Sequence, residues 1–449
     1  MLFSALALAP VAAAVVHVQL TRRSGLVQQS IGAITTDVGS GYTIPLGLGT
    51  PPQNLSVFLG MGSGNGLTMF GCDGCIDEPF YRPNKSSTWN RTGTQPFGVA
   101  YDTAQLFGAT IPNAPCAYAN STLATPQYGQ ATNQAGQLTL GLGLNADPNI
   151  QAIIPALAPS WDEPVFGVQL TGSGGQLSFG GVDTSLYQGS LTYIPTIKGT
   201  WNFAVDGLKV DGNTVDTTEY LASQAAAMAQ AAAAATSSDQ ATQGTGQRKI
   251  VVRPEMGVDY IQLSPQIAGQ MFGPTGHVPG AAATPPIQGP VNEAEVLRST
   301  GMPSQAGYSY EVPCNTNATI SFTINGTDYN IPPSKWVQTG SSVTNGTDTC
   351  KTRVLVVESD GFGAELYDVL VGSLFLESTY SAYRYDPQQA QIAFAELSQK
   401  AKEAEVAAAD TAKPSTAVQP TASATGAANA IGHSVAGVLL AAAVAVMAA

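Results

Sequence analysis

The sequence predicts an all-β chain folded as two lobes. Three observations lead there. Tyr42, Ile44, Leu46 and Leu48 put an apolar residue at every second position, the period of a half-buried strand. Short apolar runs like this one alternate with turns rich in Gly and Pro. The strand–loop–strand pattern of residues 42–70 also returns in residues 249–264, in a chain of 449 residues, long enough for two cores.

Residues 42–70 set the reading. Pro45 cannot donate to a ladder, which places the first strand at a sheet edge. Gly49-Thr50-Pro51-Pro52 marks a turn, and Leu55 to Leu59 a second strand. The loop Gly60-Met61-Gly62-Ser63 follows. By composition this is an ordinary hairpin. In order of residues it resembles the first active-site segment of the pepsin-like aspartic peptidases, whose loop is Asp-Thr-Gly-Ser. The resemblance puts Gly60 at the Asp position and Met61 at the Thr position. The second loop of that family is Asp-Thr/Ser-Gly, and here it is Glu255-Met256-Gly257.

Further elements carry the likeness in the family's order. Ser86-Ser87-Thr88 is similar to its Ser-Ser-Thr. Phe97 to Ile111 resembles the flap hairpin, with Tyr101 as candidate flap tyrosine or as a packed strand residue. The family's flap tip is rich in Gly, whereas Asp102 and Ala104 follow Tyr101. Leu138 to Gly143 and Leu370-Val371-Gly372 resemble the two apolar-apolar-Gly elements behind the loops, with Ser373 where Asp is common. Leu177-Ser178-Phe179-Gly180-Gly181-Val182-Asp183 matches Leu-x-Phe-Gly-Gly-x-Asp, and Trp201 to Gly207 resembles the strand that follows it. The likeness spans residues 31–398 and implies a bilobal pepsin-like fold with short helices. It implies no cofactor and no metal.

The chemistry it implies is incomplete. Aspartic peptidases use two carboxylates that share one proton and hold one water. Gly60 supplies none, and Glu255 is one methylene longer than Asp. Met61 and Met256 lack the hydroxyl that helps to hold each loop. The sequence therefore predicts a homologue without peptidase activity, which binds peptide or serves as a surface glycoprotein. The alternative is an atypical endopeptidase with a relocated carboxylate. Asp102 and Asp259 are the candidates, each expected to be a solvated loop residue.

Charged residues are 11% of the chain and the net charge is −13, without a basic patch, which argues against nucleic-acid binding. Residues 1–14 resemble a secretory signal peptide. A short leader, residues 15–30, contains Arg22-Arg23, a dibasic processing site or a solvated pair. Pepsin-like zymogens carry a longer, Lys-rich prosegment, and a protein with no activity to silence needs none. Small residues near Gly426, a spacer and an apolar end form the pattern of a glycosylphosphatidylinositol anchor signal over residues 427–449, with attachment between Ser423 and Asn429; a retained tail helix is the other reading. Asn54, Asn84, Asn90, Asn120, Asn317, Asn325 and Asn345 each head a glycosylation sequon. These features predict a secreted, anchored monomer at the membrane's outer face or the cell wall, similar to fungal surface members of the family.

Of the 5 cysteines, Cys72 and Cys75 form a lone C-x-x-C, and the 3 histidines are scattered, so disulfides are favoured over metal binding. Cys314–Cys350 resembles the family's C-terminal disulfide. Cys116 is expected to pair with Cys72 or Cys75, leaving one over. The lobes are expected at 31–196 and 197–398, with an Ala/Gln-rich insertion, helical or disordered, at about 219–247, and a stalk over 399–426.

Overall fold

The computed structural model describes residues 16–23, 29–31, 34–36, 41–61, 67–70, 81–92, 97–106, 109–119, 138–144, 152–158, 161–172, 174–234, 248–284, 307–344, 347–357 and 367–403. The signal segment, Cys72, Cys75, Asn120, Asn345 and the attachment region near Gly426 lie outside these residues. The fold is mostly β-sheet with a few short helices.

Strand Gly41–Leu48 buries Tyr42, Ile44, Leu46 and Leu48 as their alternation requires. It is not at an edge. Gln53–Gly60 pairs with it along one side. On the other side Val16–Arg23 pairs with residues 41–43, and Phe97–Leu106 pairs with Gly47 and Leu48. Pro45 falls between those two partners, where the ladder asks for no N–H.

The expected leader is also a strand. Val16, Val18 and Leu20 alternate with polar residues, and Val16–Arg23 inserts between Gly41–Leu48 and Gly174–Phe179. Arg22 and Arg23 lie opposite Tyr42 and Gly41 in that ladder.

Among the described residues, 13 strands form one large sheet, to which the end of the chain returns. Thr379–Arg384 pairs with Val165–Thr171, and Gln391–Glu396 lies between Thr379–Arg384 and Ile194–Pro195. These strands have two apolar faces. Phe166, Tyr383, Ile392 and Phe394 join the main core. Val165, Tyr380, Ala382 and Ala393 pack with Leu186, Leu397 and Ala401 on the other side. Residues 399–403 are therefore helical body rather than solvated stalk, because Ala401 fills that second face.

The main core runs without a break from Leu59 and Met61 through Trp201 to Met256 and Phe375. Phe166 and Tyr383 stack with ring centroids 4.7 Å apart, and Trp201 meets both edge-on. Two further sheets, of eight and four strands, carry the second half. Tyr42 ties the halves together by donating its hydroxyl to Glu377 at 2.6 Å, and Lys335 reaches the same carboxylate at 3.2 Å. Cys314 and Cys350 form a disulfide, their Cα atoms 4.9 Å apart.

Cys116 does not pair. It is a buried free thiol in strand Ala109–Ala119, pushed up to about 12 by burial and by the Asp102 charge. The insertion begins as helix Thr218–Ala234, and residues 235–247 lie outside the described set. The helix is anchored where its composition shows little, for Tyr220 is buried and donates to the equally buried Asp368 at 2.9 Å.

Candidate functional site

Two strand–loop units, one from each half, meet at the centre of the molecule. Gln53–Gly60 runs parallel to Leu138–Gly141, with Gly60 opposite Gly141. Ile250–Pro254 runs parallel to Val369–Val371, with Pro254 opposite Val371. Each loop is held from behind: Leu142 N–H donates to Gly60 O at 2.7 Å, and Glu255 N–H donates to Val371 O at 2.9 Å. Trp201 Nε1 then fixes the Leu142 carbonyl at 2.8 Å. The two apolar-apolar-Gly elements thus stand where the sequence expects them, and for a physical reason. At Gly372 only bare backbone fits, since a Cβ there would lie 2.5 Å from the carbonyls of Val258 and Tyr260.

Glu255 occupies the space between the loops. Its side chain is buried, and Oε1 accepts from Gly257 N–H at 3.1 Å and from Met61 N–H, in the opposite loop, at 2.9 Å. Oε2 faces the Arg253 guanidinium at 3.7 Å. Arg253 is buried too, and its guanidinium sits 5.3 Å from the centre of the Tyr367 ring. A Cβ on Gly60 would meet Thr139 Cγ2 at 3.6 Å and Glu255 Oε1 at 3.7 Å, ordinary contacts. Met61 and Met256 are packed in the core. Sequence reasoning missed Arg253, although a charge inside the apolar run Ile250-Val251-Val252-Arg253-Pro254 is a visible anomaly.

The other candidate carboxylates are not solvated. Asp102 is fully buried and accepts from Tyr81 Oη, Ser86 Oγ at 3.0 Å, Thr88 Oγ1 at 2.5 Å and Thr103 N–H at 2.7 Å. The Ser86-Ser87-Thr88 run therefore serves Asp102, and burial together with that carboxylate pushes the Tyr81 hydroxyl far above its usual value. Asp259 is buried with Arg353 4.0 Å away. Asp102→Ala is expected to cost about 3 kcal/mol in urea unfolding, because the buried Tyr81 hydroxyl and three further donors lose a buried acceptor.

Tyr101 is not beside a hairpin tip. It lies in mid-strand, opposite Asn90 and Pro115, with Asp102 and Ala104 in the same strand on either side of a bulge. That hairpin stays paired out to Leu106, opposite Ala109. The sequon residues Asn54, Asn84, Asn90, Asn317 and Asn325 are all exposed, and Asn325 has a φ of 48° beside Gly326 in a tight hairpin turn. Among the described residues no cluster of His, Cys, Asp or Glu could hold a metal ion, and no helix is long and apolar enough to cross a membrane.

Comparison with known proteins agrees with this architecture. A family profile described as Eukaryotic aspartyl protease matches residues 41–397. The chain belongs to that family. Major aspartyl peptidase 1 of Cryptococcus neoformans is 24% identical over 415 residues, covering 84% of this chain and 74% of that protein. Cathepsin E of Oryctolagus cuniculus is 30% identical over 222 residues, 44% of this chain and 54% of that protein. Vacuolar protease A of Aspergillus fumigatus is 29% identical over 226 residues, 45% and 56%. The matches to cathepsin E and vacuolar protease A thus span about half the length of those relatives.

Proposed function

We propose that this member of the aspartyl protease family is a secreted, glycosylated surface protein that binds peptide in its cleft without cleaving it. One observation carries the reading: the Glu255 carboxylate reaches between the two loops, and its Oε1 is engaged by backbone N–H groups of both. Proton sharing needs a second carboxylate, and the position that resembles the family's first Asp is Gly60. A positioned acid–base group contributes about 10²–10⁴-fold to rate. Loss of the partner group removes that contribution and leaves the water without its base.

The second reading, endopeptidase activity through a relocated carboxylate, is favoured by the relatives' names. Against it, Asp102 is engaged by Tyr81, Ser86 and Thr88, and Asp259 is buried with Arg353 4.0 Å away. Surface display rests on the exposed sequons and on the tail pattern near Gly426.

The test is proteolysis of denatured protein by the purified ectodomain across about pH 2.5–6, where family chemistry has its acid and base available. No cleavage sensitive to a statine-type inhibitor is expected. Inhibitor-sensitive turnover overturns the reading in favour of the peptidase.

A further inference from the structure

We infer that Gly60 and Glu255 form one interdependent device, in which the lack of a carboxylate at Gly60 lets the Glu255 carboxylate staple the two loops together across the halves. This goes beyond the absence of peptidase activity, since it assigns the altered pair a role of its own.

Neither methionine can link the loops through its side chain. Met61 and Met256 offer no hydroxyl, and both are packed in the apolar core. The link is made by Glu255 instead. Its Oε1 accepts from Met61 N–H at 2.9 Å, a contact between residues 194 apart in sequence, and from Gly257 N–H at 3.1 Å. A charged acceptor with two backbone donors makes strong, short-range hydrogen bonds. The reach depends on length, since the side chain must leave its own loop and enter the other. It also depends on what is missing at residue 60. Oε1 lies 3.7 Å from where a Gly60 side chain would begin, so a carboxylate there would face a second buried carboxylate at close range. Arg253, 3.7 Å from Oε2, balances one negative charge. A carboxylate at 60 and the glutamate at 255 thus exclude each other.

A double-mutant cycle tests the pair, read by thermal unfolding and by amide exchange at Met61. Gly60→Asp is expected to lower Tm through like-charge repulsion. Glu255→Asp is expected to lower it by about 3–6 °C through loss of the cross-loop bond. The double variant should lose clearly less than the sum. Gly60→Ala, whose Cβ meets only ordinary contacts, should be near neutral. Exchange at the Met61 amide should accelerate at least about tenfold in Glu255→Asp and Glu255→Ala, the effect of roughly 1.4 kcal/mol or more of lost protection. Glu255→Gln, which keeps a carbonyl oxygen as acceptor, should leave it slow. Failure of Glu255→Asp and Glu255→Ala to fold while Glu255→Gln folds is the same result at its limit. Additive Tm changes, or a Met61 amide as protected in Glu255→Ala as in the parent, overturn the inference. Neither readout involves proteolysis, so a peptidase-positive protein and a failed staple are separate outcomes.

Discussion

A variant carrying Gly60→Asp, Met61→Thr, Glu255→Asp and Met256→Thr is expected to cleave denatured protein at acid pH at least about 10²-fold faster than the parent. The backbone for it is already in place. Both loops are braced by parallel strands, through Leu142 to Gly60 and Val371 to Glu255. The position at Gly60 accepts a Cβ at 3.6 Å from its nearest neighbour. Shortening residue 255 withdraws its carboxylate from Met61 N–H and frees that donor for a threonine-bearing loop. Two carboxylates can then share a proton, which is the condition for general acid and general base to act together. Gly60→Asp alone should not suffice, because Glu255 still occupies the space between the loops. The measurement is statine-sensitive turnover by each variant, beside its unfolding curve. A folded but inactive quadruple variant would mean that the cleft differs from that of its active relatives beyond these four positions.

Asp368→Ala is expected to be the most damaging single substitution outside the loops, at about 3–5 kcal/mol. Asp368 is buried and accepts from Val251 N–H at 2.8 Å, from Arg248 Nη2 at 2.7 Å and from Tyr220 Oη at 2.9 Å. Alanine leaves a half-buried guanidinium, a buried phenol and a backbone N–H without their acceptor at once. It also frees the start of helix Thr218–Ala234 from the strand it is pinned to. At about 1–2 °C per kcal/mol for a chain of this size, Tm should fall by about 3–10 °C, readable by calorimetry. Asp368→Asn should fall less, since it retains an acceptor oxygen. The acid limb carries a sign. Burial is the largest influence on Asp368 and holds its folded pKa above the usual 3.8. The folded state therefore binds that proton more tightly than the unfolded state does. The associated stability is fully present below about 3.8 and is lost as pH rises through the folded pKa. The parent should accordingly gain stability relative to Asp368→Asn as pH falls toward 3.8.

Much of the fold is legible because it rests on period and order. Alternation at Tyr42–Leu48 fixes which side chains enter the core. The loops at Gly60 and Glu255 stand in family order with the apolar-apolar-Gly elements, and the structure pairs each loop strand with its own element. What is not legible depends on partners distant in sequence. Pro45 reads as an edge residue because a sequence cannot show that two different strands flank it. Asp102 reads as solvated because its acceptor role depends on Tyr81, Ser86 and Thr88 folding back onto it. Cys116 reads as half of a disulfide because counting cysteines says nothing about depth. Val16–Arg23 reads as a leader because its position next to a signal segment outweighs its strand period.

The two-faced sheet has a mechanical consequence. Tyr383 lies on the face toward the paired loops, where the Glu255 charge and, above all, burial raise its hydroxyl pKa. Ala401 lies on the opposite face, with Leu397 and Leu186. Tension applied to the chain beyond residue 403 loads the Ala401 packing and the Lys400 and Ser398 contacts to Ser185 before the ladder between Thr379–Arg384 and Gln391–Glu396. Those strands stand between the pull and the loops. The cleft floor keeps its geometry under strain until that ladder peels.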